Sequence, residues 1–271
     1  MNLERADDAI LLTERGGSGT RLLGEIASSV GVFIGNDLNA SSDSLECQVA
    51  VKEMARQKLS SADGIEAAAL ERWRRTLREL AAAIRSRGAW APPGPWGWKL
   101  PELMFVLPET RAIFPGARVI HLVRHPVDLS LRRTHGTSRM DNPMGSVALP
   151  AAYRALGLDP VLIERHRRYM HNAVAWQHQV STVVGWARGQ LPKDRYLELR
   201  YEDVCADTAA AQGAVARFVG GVPESPPPMV DPARMRRYEP SDERISQVWT
   251  ICGATAGQLG YRFPGDASSD G

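Results

Sequence analysis

Apolar and polar positions fall into short blocks along this chain, and the blocks switch period repeatedly. Ala9–Thr13 is a continuous apolar run closed by turn residues, which predicts a buried strand. From Ser18 to about Val30 the period becomes helical, with Leu22, Leu23 and Ile26 on one face. Val32–Gly35 predicts a second short strand, and in the polar stretch NDLNASSDS either Asp43 or Ser44 can cap the next helix. Ile65–Arg87 reads as a long helix whose arginines form a solvated face. The prolines of APPGPWGWKLP break it and lead into a strand ending near Lys99, with Trp90, Trp96 and Trp98 expected in core packing.

The clearest strand is Arg118 to about Val123, and Pro126 suits the first turn of the helix after it. Thr134–Pro150 shows no periodic pattern and reads as a long loop. A helix opening at Asp159-Pro160 runs to about Ala187, RYLELRYED predicts a strand to near Tyr201, and a helix continues to about Val219. A proline-rich stretch then precedes a last helix from Asp242, and the tail 266–271 is expected to be disordered. Strands alternating with helices predict an α/β fold with a mostly parallel sheet flanked by helices on both faces. Ligands of such sheets gather at the carboxyl ends of the strands, where the glycine-rich run at 16–19, Arg124 and the RYED run all fall.

Charge narrows the partners. The 271 residues carry 33 basic and 31 acidic side chains, a balance that does not suit nucleic-acid binding. Cys47, Cys205 and Cys252 are odd in number and show no CxxC spacing, so a reducing cytoplasmic setting is expected. Acidic residues stand where a signal peptide would be basic, and no run approaches the roughly 20 apolar residues of a bilayer span. No membrane partner is expected.

The segment RGGSGT joins the first strand to the first helix. Gly16, Gly17 and Gly19 let backbone N–H groups turn around an anion, the helix N-terminus adds partial positive charge, and Ser18 and Thr20 add hydroxyl donors. A Walker A loop would need lysine after its last glycine, yet Gly19 is followed by Thr20-Arg21. No strand ends in a magnesium-binding aspartate. The strongest one ends in Arg124, a planar fork suited to a second phosphate group.

RGGSGTRLL, RVIHLVRHPVDLSLR, YLELRYEDV and the late LGYRF, in this order and spacing, resemble the successive signatures of the sulfotransferases that use 3'-phosphoadenosine-5'-phosphosulfate (PAPS). The resemblance spans about Ile10 to Phe263 and implies a single P-loop-like domain over residues 1–265. It implies that Arg15, Gly16, Gly17, Ser18, Gly19 and Thr20 bind the 5'-phosphosulfate, that Arg124 binds the 3'-phosphate, and that Tyr201 lies near the adenine. Three positions depart from the family's usual pattern. Gly17 stands where many members have lysine, Arg132 where many have serine (Ser130 lies two residues earlier), and Leu22 where many have an adenine-stacking tryptophan.

The resemblance implies transfer of a sulfuryl group to a hydroxyl or amine of a small-molecule acceptor, in line and without metal. With lysine missing at position 17, Arg15, Arg21 and Lys99 are the candidates for charge on the leaving phosphate. For the proton acceptor the candidates are Glu102, Asp37 and Glu46, with His135 a minor one. His121 reads as a core residue, and His166, His171 and His178 lack an i,i+4 pair that would favour a metal. The acceptor would be shaped by Asn36–Glu46, Thr134–Pro150 and Met229–Pro240. Two other readings stay open: a P-loop nucleotide kinase or NTPase with an altered loop, and a non-catalytic module that binds the desulfated nucleotide PAP.

Overall fold

The computed structural model describes residues 8–87, 90, 94–231, 235, 238–239 and 241–264. The chain divides into two compact units, residues 1–123 with 185–230, and residues 124–184 with 231–271.

The first unit is built on a four-stranded parallel sheet, β1 (Ile10–Glu14), β2 (Gly97–Lys99), β3 (Arg118–Val123) and β4 (Tyr196–Arg200), in the order β2-β1-β3-β4. All five residues of β1 are buried, which is why Ile10–Leu12 reads as a continuous apolar run rather than an alternating one, before Thr13 and Glu14 close the strand. Strand order reverses at β1, whose partners on either side are β2 and β3. Such a reversal opens a crevice beyond the carboxyl ends of the strands, so the residues following β1 and β3 are the ones to examine for ligands.

Helices α1 (Thr20–Ser29), α2 (Leu45–Ser60), α3 (Ala67–Ser86) and α4 (Leu103–Ile113) alternate with the strands, and α9 (Tyr201–Ala206) and α10 (Thr208–Val219) follow β4. Beneath β2, Trp96, Trp98 and Phe114 pack with ring centroids 5.2–6.4 Å apart, and the Arg85 guanidinium lies 4.9 Å from the Trp96 ring. His121 is fully buried in β3, where its Nδ1 meets the Tyr196 hydroxyl at 2.9 Å, and burial depresses its pKa to about 3. That histidine is a core residue.

In the second unit, α5 (Pro126–Ser130) is followed by α6 (Gly145–Ala155), α7 (Leu162–Arg165), α8 (Arg168–Gln190, whose last turns enter the first unit) and α11 (Arg244–Gln258). Its core joins Leu149, Ala152, Tyr153 and Val174, with Leu162, Ile163 and Ile251 packed against them. Among the described residues no helix is long and apolar enough to cross a membrane.

Several boundaries differ from the sequence reading. Thr134–Pro150 is not a structureless loop: it holds a 3-10 turn at Gly136–Ser138 and the start of α6. Asn142 Oδ1 accepts from the backbone N–H groups of Met144 and Gly145, and this turn leads into a helix that Pro143 before it and Pro150 within it disguise. The helix expected from Asp159 to Ala187 breaks at His166, which is extended and whose Nδ1 meets the Tyr153 hydroxyl at 2.8 Å. Val32–Gly35 contributes one bridge, Phe33 to Trp96, in place of a strand, because Gly35 turns the chain at φ 125°. Tyr201 opens α9 rather than closing β4, and Asp207 ends α9 and caps α10 through Ala210 N–H. The tail 266–271 lies outside the described residues.

Gly97 shows how tightly β1 and β2 approach. A Cβ there would fall 1.8 Å from the Ile10 carbonyl oxygen. Gly97→Ala is expected to lower the stability of the fold by about 1–3 kcal/mol, the usual cost of overpacking, read as a shift of the urea midpoint at unchanged m-value.

Candidate active site

The turn after β1 is built to leave backbone donors uncovered. Ser18 N–H closes it on the Arg15 carbonyl at 3.0 Å, and Gly17 and Gly19 take φ of 93° and 113°, conformations that only glycine adopts without strain. Gly19 is the N-cap of α1, no side chain caps the helix, and no acidic residue stands in its first turn. The first N–H groups of α1 therefore keep their partial positive charge, an arrangement that favours an anion. Arg15 and Ser18 are buried, Gly19 and Thr20 half-buried, Gly17 and Arg21 exposed. Arg15 Nη1 donates to the Gly16 carbonyl at 3.3 Å, so the guanidinium folds back on the loop's own backbone.

Tyr201 presses on this turn from the end of β4. A Cβ on Gly19 would come within 2.5 Å of its ring, so the third glycine is required by contact as well as by conformation. The ring forms a wall of the cradle.

Beside the turn sits a buried charge cluster. Lys99, last residue of β2, has a fully buried side chain, and its Nζ meets Asp43 Oδ1 at 2.5 Å and Glu14 Oε1 at 3.8 Å. Glu14 is the last residue of β1, directly before the turn, and Gly24 of α1 makes room for Ser42, whose Cβ a side chain there would approach to 2.6 Å, with Lys99 Cε in ordinary contact at 3.5 Å. Ser44 stitches the cluster together: its Oγ accepts from Lys99 N–H at 3.0 Å and donates to the Ile34 carbonyl at 2.5 Å. Asp43 is held by Asn39, whose Nδ2 donates to Oδ2 at 2.9 Å and whose Oδ1 accepts from the Asp43 amide. Its carboxylate retains some exposure, whereas Glu14 has none. Burial raises the Glu14 pKa to about 8 against the lowering effect of Lys99, with Asp43 and Glu102 adding smaller upward pushes.

Of the carboxylates proposed from sequence, Glu102 lies near enough to Glu14 to act on it but has its own cation, while Asp37 and Glu46 sit elsewhere. Glu102 is buried and pairs with Lys52 at 3.6 Å; burial raises its pKa and Lys52 opposes the shift. Asp37 is exposed, and Glu46 Oε1 accepts from the Asn36 and Asp37 backbone N–H groups, bracing the loop. His135 Nδ1 accepts from Thr137 N–H and serves the 3-10 turn. The structure thus joins Lys99 to Glu14 and Asp43, not to Asp37 or Glu46. Glu14 was missed although a carboxylate ending an otherwise apolar strand is a visible signal, and Asp43 was read only as a helix cap.

In the second unit, Arg124, which the resemblance links with the 3'-phosphate, and Arg132 both meet Asp128. Arg124 is buried, its Nε donates to Asp128 Oδ2 at 2.5 Å and its Nη2 contacts the same oxygen. Arg132 Nε lies 3.6 Å from Asp128 Oδ1. Asp128 thus bridges two guanidiniums. Ser130 is also fully buried here, its carbonyl accepting from Asn172 Nδ2.

Residues 18–223, well over half the chain, match the model of the sulfotransferase family, and the chain belongs to that family. Its fold is similar to that of the sulfotransferase domain from the curacin biosynthetic pathway, at 16% identity and TM-score 0.53 over 95% of this chain and 99% of that one. It is also similar to the sulfotransferase domain of the Synechococcus PCC 7002 olefin synthase, at 15% identity and TM-score 0.55 over 94% of both chains. A sulfotransferase from Alicyclobacillus acidocaldarius matches at 10% identity and TM-score 0.51, over 94% and 96%. No curated protein matches the chain by sequence.

Glu14 gives the cluster a pH signature. Its folded pKa of about 8 exceeds the ordinary 4.5, so the folded state holds a proton that the unfolded state releases between those values. Rising pH across that window therefore favours unfolding. Glu14→Gln is expected to flatten the fall in stability between pH 5 and 8, a difference on the order of a few kcal/mol in urea titrations at the two ends.

Proposed function

We propose that this chain transfers a sulfuryl group from PAPS to a hydroxyl or amine of a small-molecule acceptor, and that residues 1–265 act as one catalytic domain. The observation that carries the reading is the uncapped, twice left-handed glycine turn set beside a fully buried lysine. The turn suits a phosphosulfate: backbone donors and the α1 N-terminus face the anion, Ser18 and Thr20 add hydroxyls, and Tyr201 fixes the wall. Arg124, with Ser130 and Arg132, is assigned the 3'-phosphate.

The acceptor oxygen or nitrogen attacks sulfur as its proton leaves, the bond from sulfur to the bridging phosphate oxygen breaks, and PAP departs with the added negative charge. Positioning and charge stabilisation carry most of such a transfer. Lys99 is assigned to the leaving group, with Arg15 and Arg21 reinforcing the turn. Asp43 is assigned the proton, because it alone of the carboxylates on Lys99 has an exposed edge. Glu14, closed from solvent, tunes the lysine. The roles proposed for Glu102 and Asp37 pass to second place because neither pairs with Lys99: Glu102 pairs with Lys52 and Asp37 stands on the exposed loop.

The kinase or NTPase reading requires a lysine after Gly19 and a carboxylate for magnesium, and Arg21 and Arg124 stand at the nearest comparable places. Calorimetric titration separates the readings: PAP is expected to bind without metal and more tightly than ATP, whereas preference for magnesium-ATP would overturn the donor assignment. Arg124→Ala is expected to weaken PAP binding by about tenfold or more, as loss of a charge-assisted fork requires. Lys99→Ala is expected to lower kcat by about 100-fold while leaving PAP affinity within a few-fold. Bound PAP with no sulfation across a broad acceptor panel would favour the non-catalytic module.

A further inference from the structure

The second unit contains a cavity of about 900 Å³ that none of the assignments above uses as a whole. Six arginines line it: Arg132, Arg133, Arg139, Arg167, Arg168 and Arg244. Only two carboxylates, Asp141 and Glu164, share the lining, in a chain whose acids and bases otherwise nearly balance.

Three of the arginines have local partners. Arg139 pairs with Asp141 at 2.6 Å, Arg244 forks onto Asp242, and Arg132 leans on Asp128. Arg133, Arg167 and Arg168 differ: among the described residues, none of them meets a carboxylate within 4 Å. Arg167 and Arg168 also stand at the N-terminus of the 23-residue α8, where the helix dipole opposes a cation. The dipole disfavours this placement, and Asp141, the carboxylate that senses Arg168, is already forked by Arg139. Positions that break local rules tend to be functional.

Ser130 and Arg132, assigned above to the 3'-phosphate, line one side of the cavity and mark where it meets the cofactor's site; the Ser130 side chain is fully buried and its hydroxyl has no hydrogen-bond partner among the described residues. A buried hydroxyl left unpaired costs on the order of 1–3 kcal/mol, which a ligand acceptor atom would offset. Tyr169 and Ile163 give the lining an aromatic and an apolar surface for the body of a ligand.

We infer that this cavity binds a small molecule bearing several anionic groups, carboxylate, phosphate or sulfate ester, and that it selects an acceptor that is already negatively charged. The identification of that ligand as the acceptor rests on the sulfotransferase reading; the anion site itself does not. Cofactor 3'-phosphate alone does not require this lining, since Arg139, Arg167, Arg168 and Arg244 lie outside the Arg124–Asp128–Arg132 group assigned to it.

The test uses the full chain and a trisulfated disaccharide as probe, titrated with and without saturating PAP, beside Arg167→Ala/Arg168→Ala. Both arginines are exposed, and an unchanged PAP affinity of the double variant certifies its fold. Expected are binding of the probe to the PAP-loaded protein, weakening as salt rises, and a loss of about tenfold or more in the double variant. Competition between probe and PAP would overturn the inference, because the cavity would then belong to the cofactor. So would an absence of binding at millimolar probe, or binding insensitive to the double substitution. Arginine-dependent probe binding with no PAP binding would sink the donor reading instead and leave the anion site standing. A phosphorylated sugar run in parallel, glucose 6-phosphate, distinguishes a site for phosphate esters from one for sulfate esters by which probe binds tighter.

Discussion

Burial of the Lys99 ammonium is the constraint around which the first unit is arranged. An ammonium with no solvent contact is tolerated only where carboxylates meet it and its protons are accepted. Asp43 meets that demand directly and Glu14, its pKa raised to about 8, packs 3.8 Å from the ammonium, so the end of β1, the end of β2 and the loop before α2 converge on one point. Ser44 then ties the lysine backbone to Ile34. The same convergence places the glycine turn next to the cluster, because Glu14 is covalently its doorstep. Removing Asp43 would leave the lysine without a carboxylate at ion-pair distance shorter than 3.8 Å, so the loop before α2 and the charge on the lysine depend on each other.

The sheet and the anion turn were legible because each is written locally. Continuous apolar runs mark β1 and β3, and three glycines in four positions mark the turn. The parallel sheet followed from alternation of strands and helices. What sequence could not carry was the pairing of side chains far apart in the chain. Asp43 and Asp37 look alike in NDLNASSDS, and only the Asn39 turn decides which of them reaches Lys99. Glu14 was hidden by its neighbour: next to an arresting glycine run, one acid at the end of a strand attracts no notice until its burial is seen. Helix α6 escaped because Pro143 and Pro150 suppress the helical pattern that Leu149, Ala152 and Tyr153 supply.

The second unit solves a different electrostatic problem. Asp128 serves two guanidiniums, while the arginines at the head of α8 are left for solvent or ligand. Two guanidiniums share one carboxylate at Asp128, whereas Arg133, Arg167 and Arg168 meet none within 4 Å among the described residues, and this local contrast says more than the net charge of the chain. Cysteine chemistry plays no part in either arrangement: Cys47 and Cys252 are buried thiols, and Cys252 donates to the Ala173 carbonyl.

One hydrogen bond in this unit has a practical consequence. The indole N–H of the fully buried Trp176 donates to the main-chain carbonyl of Arg124 at 3.0 Å. Indole emission depends on the polarity and hydrogen bonding around the ring, so this tryptophan is an optical gauge wired to the backbone of the assigned phosphate-binding residue. Retaining Trp176 while replacing the remaining tryptophans with phenylalanine would turn the protein into its own fluorescent reporter, following occupancy at Arg124 in real time without a label.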